Sequence, residues 1–197
     1  MLIAVVTPKG GAGKTTTAVH LAAALARRRG APSVVLLDGD ASRGATRWHE
    51  RGAGALPFEV RPIGSNVAGA EHVVIDTAAN EAAADLRPVL AAADRVIVPT
   101  PPSPLELVVT LDALAELEPR DRVRVLLTRC PPVPQTDAAD ARELLTSRGA
   151  HVLRTEVPNR KPYQTAALEG VTVRDVRDRA AETLWAAWPR IIREVTT

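Results

Sequence analysis

The segment that most constrains this chain is Pro8-Lys9-Gly10-Gly11-Ala12-Gly13-Lys14-Thr15-Thr16. An apolar run, Leu2–Thr7, precedes it and reads as a buried strand. An alanine-rich stretch carrying Val19, Leu21 and Leu25 follows it and predicts a helix from about Lys14 to Arg29, stopped by a basic turn and Gly30. Between a strand and a helix, glycines let backbone N–H groups wrap closely around a phosphate chain, and the helix start adds partial positive charge. In such a loop Lys14 reaches the β- and γ-phosphates and the Thr15 hydroxyl reaches Mg²⁺. The strict pattern would put Gly at position 8, where Pro8 stands. A glycine turn that holds nothing is the competing reading, and the strand before and helix after argue against it.

Lysine usage points the same way. The chain has 22 Arg but three Lys, and two of these, Lys9 and Lys14, flank the glycines. A lysine kept in an arginine-rich chain suggests a need for a compact ammonium rather than a planar fork.

The rest of the chain alternates between apolar runs and amphipathic stretches. Strands are predicted at Ser33–Asp38, Phe58–Ile63, His72–Asp76, Arg95–Pro99, Val123–Thr128 and, briefly, His151–Leu153. Helices are predicted at Ser42–Arg51, Glu81–Ala93, Leu105–Leu117, Asp137–Arg148 and Tyr163–Leu168, with a last one over Val173–Glu194 kinked at Pro189. Near-continuous β-branched runs joined by helices imply one doubly wound, mostly parallel α/β sheet covered on both faces; with the glycine loop between its first strand and first helix, the expected pattern is that of a P-loop NTPase. With no linker or repeat, residues 1–197 are expected to form a single domain.

Three carboxylates sit at predicted strand ends: Asp38 and Asp40 after SVVLL, and Asp76 after HVVI. In an open parallel sheet these ends share the edge that binds ligands, so all three are expected to converge on Mg²⁺ and the γ-phosphate. An isolated aspartate of this kind more often caps the next turn. No Glu follows Asp76, so hydrolysis is expected to lean on positioning and charge neutralisation, with slow turnover.

Composition excludes several classes. The single Cys130 rules out an internal disulfide framework and an intrachain cysteine-rich zinc site, and fits a reducing cytoplasm. His20, His49, His72 and His151 lack ligand spacing and imply no metal. The N-terminus has no basic region before its apolar run, so no signal peptide is expected, and no apolar stretch is long enough to span a bilayer. Five aromatics are too few for a single-strand stacking platform. Charge is uneven: residues 1–119 are net −2 and residues 120–197 net +4. A basic back half invites a phosphate-backbone partner, although solvated arginine-rich helices would look the same. In the last stretch Leu184, Trp185, Trp188, Ile191 and Ile192 are mixed with Arg190, Arg193, Glu182 and Glu194, which favours packing on the sheet over lying on a membrane.

Lys9 through Thr16 resembles the deviant Walker A motif of the ParA/MinD ATPases. Val35-Leu36-Leu37-Asp38-Gly39-Asp40 resembles their second motif, and Val73-Val74-Ile75-Asp76 their Walker B strand. Pro99–Glu106 and Leu126-Leu127-Thr128-Arg129 resemble later segments, most like those of small ParF-like ParA proteins. The resemblance implies an ATP/ADP-binding, Mg²⁺-dependent homodimer. By the same resemblance Lys9 crosses to the partner's phosphates, Gly10, Gly11, Ala12, Gly13, Lys14, Thr15 and Thr16 hold phosphate in cis, and Asp40 positions the attacking water. Asp38 and Asp76 would support the metal shell with Thr15, while Thr128, Arg129 and Pro158 would approach the base. It further implies non-specific DNA binding, for which Arg160 and Lys161 are the candidate contacts, slow hydrolysis stimulated by a ParB-like centromere-binding adaptor, and a cytoplasmic, nucleoid-associated role in segregating or positioning plasmid or chromosome DNA. No helix-turn-helix precedes Met1, so a promoter-repressing type is not expected. Ala41 and Ala78 stand where the family often has proline, and Gly64–Glu71 is too short for the helix often found there. Two alternatives are a MinD-like membrane-associated regulator and a small-molecule P-loop kinase or ligase; no membrane association is expected. An iron–sulfur reductase relative is disfavoured by the single cysteine.

Overall fold

The structure, a computed structural model, describes residues 1–78 and 83–197. Its strands are β1 (Leu2–Val5), β2 (Val34–Asp38), β3 (Glu59–Pro62), β4 (His72–Asp76), β5 (Arg95–Thr100) and β6 (Val123–Leu127). They form one sheet in the order β3-β2-β4-β1-β5-β6, with every registered pair parallel. The helices are α1 (Lys14–Ala26), α2 (Gly44–Arg51), α3 (Ala83–Ala92), α4 (Pro104–Glu116), α5 (Asp137–Ser147), α6 (Lys161–Glu169), α7 (Ala181–Trp185) and α8 (Ala187–Thr196).

Side chains alternate between the two faces of each strand, so each continuous apolar run serves two cores. Ile3, Val5, Leu36, Val74, Ile97 and Leu126 face α1 and α8. Ala4, Val6, Val96 and Val98 face Leu86 and Leu90 of α3, while Val125 and Leu127 face Leu107 of α4 and Leu145 of α5. Helix α1 is sandwiched between sheet and α8, which is why its alanines are buried nearly all round.

Three expectations change. Helix α1 ends at Ala26; the arginine triplet turns away and Gly30, at φ 94°, completes the turn. The His151–Leu153 strand reduces to a single bridge, Val125 to Val152. The predicted long last helix is broken: residues 171–180 are turns and bends, and the remainder is interrupted at Ala186, not at Pro189. Pro189 lies in the first turn of α8, where its missing N–H costs nothing. The predicted helix start at Glu81 lies outside the described residues.

Behind the loop, a fully buried His20 on α1 stacks on Trp188 at 4.8 Å and meets Tyr163 and Trp48 edge-on at 5.4 and 6.0 Å. Its Nδ1–H donates to the Thr16 carbonyl at 2.8 Å and its Nε2 accepts from the Val173 amide at 2.9 Å. Both ring nitrogens are thus used by the neutral tautomer, and burial pushes the imidazole pKa down to about 4.

Candidate functional site

The carboxyl ends of β1, β2, β4 and β6 meet around the glycine loop. Gly13 is the N-cap of α1 at φ 89°, a left-handed conformation that only glycine adopts cheaply. The Thr128 hydroxyl donates to the Ala12 carbonyl at 2.8 Å, tying the end of β6 to the loop. Gly10 and Gly11 lie exposed on its outer turn, and the Thr7 hydroxyl donates to the Lys9 carbonyl at 3.0 Å.

Lys14, 6% exposed, is the first residue of α1 and is turned inward. Its ammonium donates to Asp76 Oδ1 at 2.7 Å, to Asp40 Oδ2 at 3.3 Å and to the Thr77 carbonyl. The Thr15 hydroxyl donates to Asp76 Oδ2 at 2.7 Å. Burial holds the Asp76 carboxyl above its usual range, against the pull of Lys14 and Thr15. Asp40 is partly solvated. Burial pushes its pKa up, but hydrogen bonds from Ser42 and the charge of Lys14 outweigh it, and the net value lies below the usual one. Asp40 is therefore a charged acceptor at neutral pH, suited to orienting a water rather than to strong general-base chemistry.

Of the three strand-terminal aspartates, the structure brings Asp40 and Asp76 together on Lys14 and turns Asp38 elsewhere. Both bonds to Asp38 Oδ2 come from Thr46 on α2, its amide at 2.8 Å and its hydroxyl at 2.7 Å, while Oδ1 accepts the Asp40 amide at 3.2 Å. Sequence reasoning missed Thr46; its place eight residues after Asp38, in the first turn of a short helix, is the one local hint.

Across the loop from these carboxylates lies a cleft of about 340 Å³. It brings together Gly13, Thr16, Thr128, Arg129 and Pro158, which the sequence had grouped, with Thr17, Asn159, Tyr163 and Gln164, which it had not. Arg129 sits at its mouth at φ 50°. The cleft wall is pinned from behind: Cys130 donates its amide to the Val157 carbonyl at 3.1 Å and accepts from the Asn159 amide at 2.8 Å. Burial drives the Cys130 thiol pKa up to about 12. Arg160 also lines the cleft, while Lys161 is exposed at the start of α6.

Lys9 points outward from the loop, its side chain 43% exposed, and pairs with Glu106 of α4 at 2.8 Å. The oxygen pair Thr15 Oγ1 and Asp76 Oδ2 is the hard donor chemistry that Mg²⁺ selects, and no three His, Cys, Asp or Glu side chains among the described residues could build an all-protein metal cage. The residues present therefore fit a metal that arrives with phosphate and keeps most of its waters.

A parallel sheet with a glycine loop running into its central helix, acidic strand ends on one side and a nucleoside-sized cleft on the other, defines a P-loop nucleotide-binding protein. Residues 3–173 match the family model described as "CobQ/CobB/MinD/ParA nucleotide binding domain". The chain belongs to this family and is a ParA-type ATPase. It is 38% identical over 204 residues to "Maintenance of carboxysome distribution protein A" of Gloeobacter kilaueensis, covering 98% of this chain and 93% of that protein. An ATP complex of McdA from Cyanothece shares the fold at TM-score 0.76 and 12% identity, covering 99% and 96% of the two chains. The MinD cell division protein of Aquifex aeolicus does so at TM-score 0.72 and 16% identity, covering 98% and 96%.

Proposed function

We propose that this chain is a nucleotide-switched positioning ATPase: with Mg·ATP it dimerises, binds DNA without sequence preference, and moves or spaces a large cargo through an adaptor protein. The observation that carries this reading is the division of labour between the two loop lysines. Lys14 is buried against Asp40 and Asp76, where it serves its own phosphate chain. Lys9 stands on the outer side, where it can serve the phosphates of a second copy.

In this reading the loop amides and Lys14 bind and orient the triphosphate, and Thr15 and Asp76 hold Mg²⁺, which when bound neutralises phosphate charge. Asp40 holds the attacking water, and Asp38 braces α2 through Thr46. Thr128, Arg129 and Pro158 flank the nucleoside. With Asp40 as a weak base and no stronger one beside it, turnover is slow and a partner protein accelerates it by completing the site. Arg160 and Lys161, at the start of α6, are the proposed DNA contacts, acting by phosphate neutralisation. Similarity to a protein named for carboxysome distribution favours a protein-bodied compartment as cargo over a plasmid or chromosome region. The membrane-associated alternative is disfavoured because Trp188, Ile191, Ile192 and Val195, the apolar face of α8, are buried against the core. No helix among the described residues is long and apolar enough to cross a membrane.

DNA binding measured at several salt concentrations with ATP, with ADP and without nucleotide tests the proposal. Tight, steeply salt-dependent binding with ATP only is expected. Equal affinity in all three conditions rejects a nucleotide-gated DNA cycle.

A further inference from the structure

The outward lysine is not idle. Lys9 Nζ lies 2.8 Å from Glu106 Oε1, and the two side chains are 43% and 21% exposed. Glu106 is the third residue of α4, and Ser103 is its N-cap with extended φ −91° and ψ 144°. Ser103-Pro104-Leu105-Glu106 is therefore the sequence of a capping box, in which the glutamate reaches back to the N-cap amide. That box is not closed. Ser103 makes no side-chain cap bond, and the hydrogen bond Glu106 makes among the described residues is to Lys9.

Glu106 thus has two alternative partners: the Lys9 ammonium, which it holds, and the Ser103 backbone amide at the N-cap of α4, which a closed box would give it. We propose that Glu106 is a latch that holds Lys9 within its own protomer, and that dimerisation exchanges the Lys9–Glu106 pair for a lysine–phosphate contact across the interface and a closed capping box on α4. This inference rests on the proposed trans role of Lys9.

The energetics suit a switch. A half-exposed ion pair is weak, so a triphosphate with several negative oxygens outcompetes one carboxylate. Glu106 loses little on release, because a carboxylate in the first turn is favoured by the helix dipole. Leu105 and Val108 of α4 are 68% and 57% exposed, so a second copy arriving on this face covers apolar surface as it displaces the pair.

The chain's own composition makes the test clean. Of its three lysines, Lys14 is buried and Lys161 is exposed, so Lys161 is an internal ruler for amine reactivity. Acetylation by an amine-reactive ester, followed by mass spectrometry of the full chain without nucleotide, reports the contact. Glu106→Gln is expected to raise Lys9 labelling relative to Lys161 by about threefold at low salt, the size expected for one exposed pair. The second arm is dimerisation in Mg²⁺ and a non-hydrolysable ATP analogue, followed by sedimentation. Each dimer opens two pairs, so the dissociation constant of Glu106→Gln should fall by about tenfold, the square of the single-pair effect. Unchanged Lys9 labelling overturns the contact. Raised labelling with unchanged or weaker dimerisation overturns the latch. A wild-type chain that stays monomeric with nucleotide sinks the trans-lysine reading, and the latch with it, whatever the labelling shows.

Discussion

Protonating His20 should destabilise this protein from within. The neutral imidazole donates to Thr16 and accepts from Val173, and an imidazolium would set an N–H against the Val173 N–H in a site with no solvent. The nearest charges, Asp175 and Arg27, act in opposite directions, so burial dominates and the folded pKa is about 4 against an ordinary 6.5. The sign follows from the proton count. The unfolded chain takes up the proton first, so the contribution is fully present above about pH 6.5 and is lost as pH falls toward 4. Linkage between those two values gives a loss of about 2 kcal/mol by pH 5 and about 3 kcal/mol by pH 4. Urea unfolding of wild type and His20→Asn at pH 7, 6, 5 and 4, followed by tryptophan fluorescence, isolates this group. The variant is less stable at pH 7, since it loses aromatic packing, but the gap should close or invert by pH 4. Parallel stability curves for the two chains, or a His20 ring proton that titrates near 6.5, would refute the argument.

Three further outcomes are expected. A Cβ on Gly170, which sits at φ 72°, would stand 2.0 Å from the Gly52 amide nitrogen where α2 and α6 cross, so Gly170→Ala should cost about 2–4 kcal/mol in denaturant unfolding; a loss below about 1 kcal/mol would mean the crossing is loose. Thr46→Val deletes the hydroxyl 2.7 Å from buried Asp38 and should cost about 1–3 kcal/mol, whereas Thr46→Ser should largely restore it; equal melting of both variants would deny that bond its role. Asp40→Ala should retain nucleotide binding and ATP-driven dimerisation yet abolish phosphate release, and undiminished release would exclude Asp40 as the water-holding group.

Much of the fold was legible because its signals are local. Apolar runs such as SVVLLD and HVVID, glycines between strand and helix, and carboxylates at strand ends each declare themselves within a few residues. What the sequence hid depends on distant partners. Asp38 looks equivalent to Asp76 along the chain, yet the fold gives Asp38 to Thr46 and Asp76 to Lys14 and Thr15. His20 looked like a scattered histidine because Trp188, 168 positions away, is what makes it a core group. Glu106 could not be matched to Lys9 from spacing, because β5 must first be laid beside β1 to bring α4 to the loop. The break near Ala186 was missed because proline is the obvious helix breaker, and here it serves as a helix opener instead.

The pinning of the cleft wall through Cys130 has a practical corollary. With its proton held up to about pH 12 and its sulfur walled in, the chain's single sulfhydryl should ignore maleimides and mild oxidants at neutral pH. A reporter cysteine placed on α4 would thus carry a dye alone, without first stripping the native thiol, and two labelled copies could be watched finding one another by energy transfer.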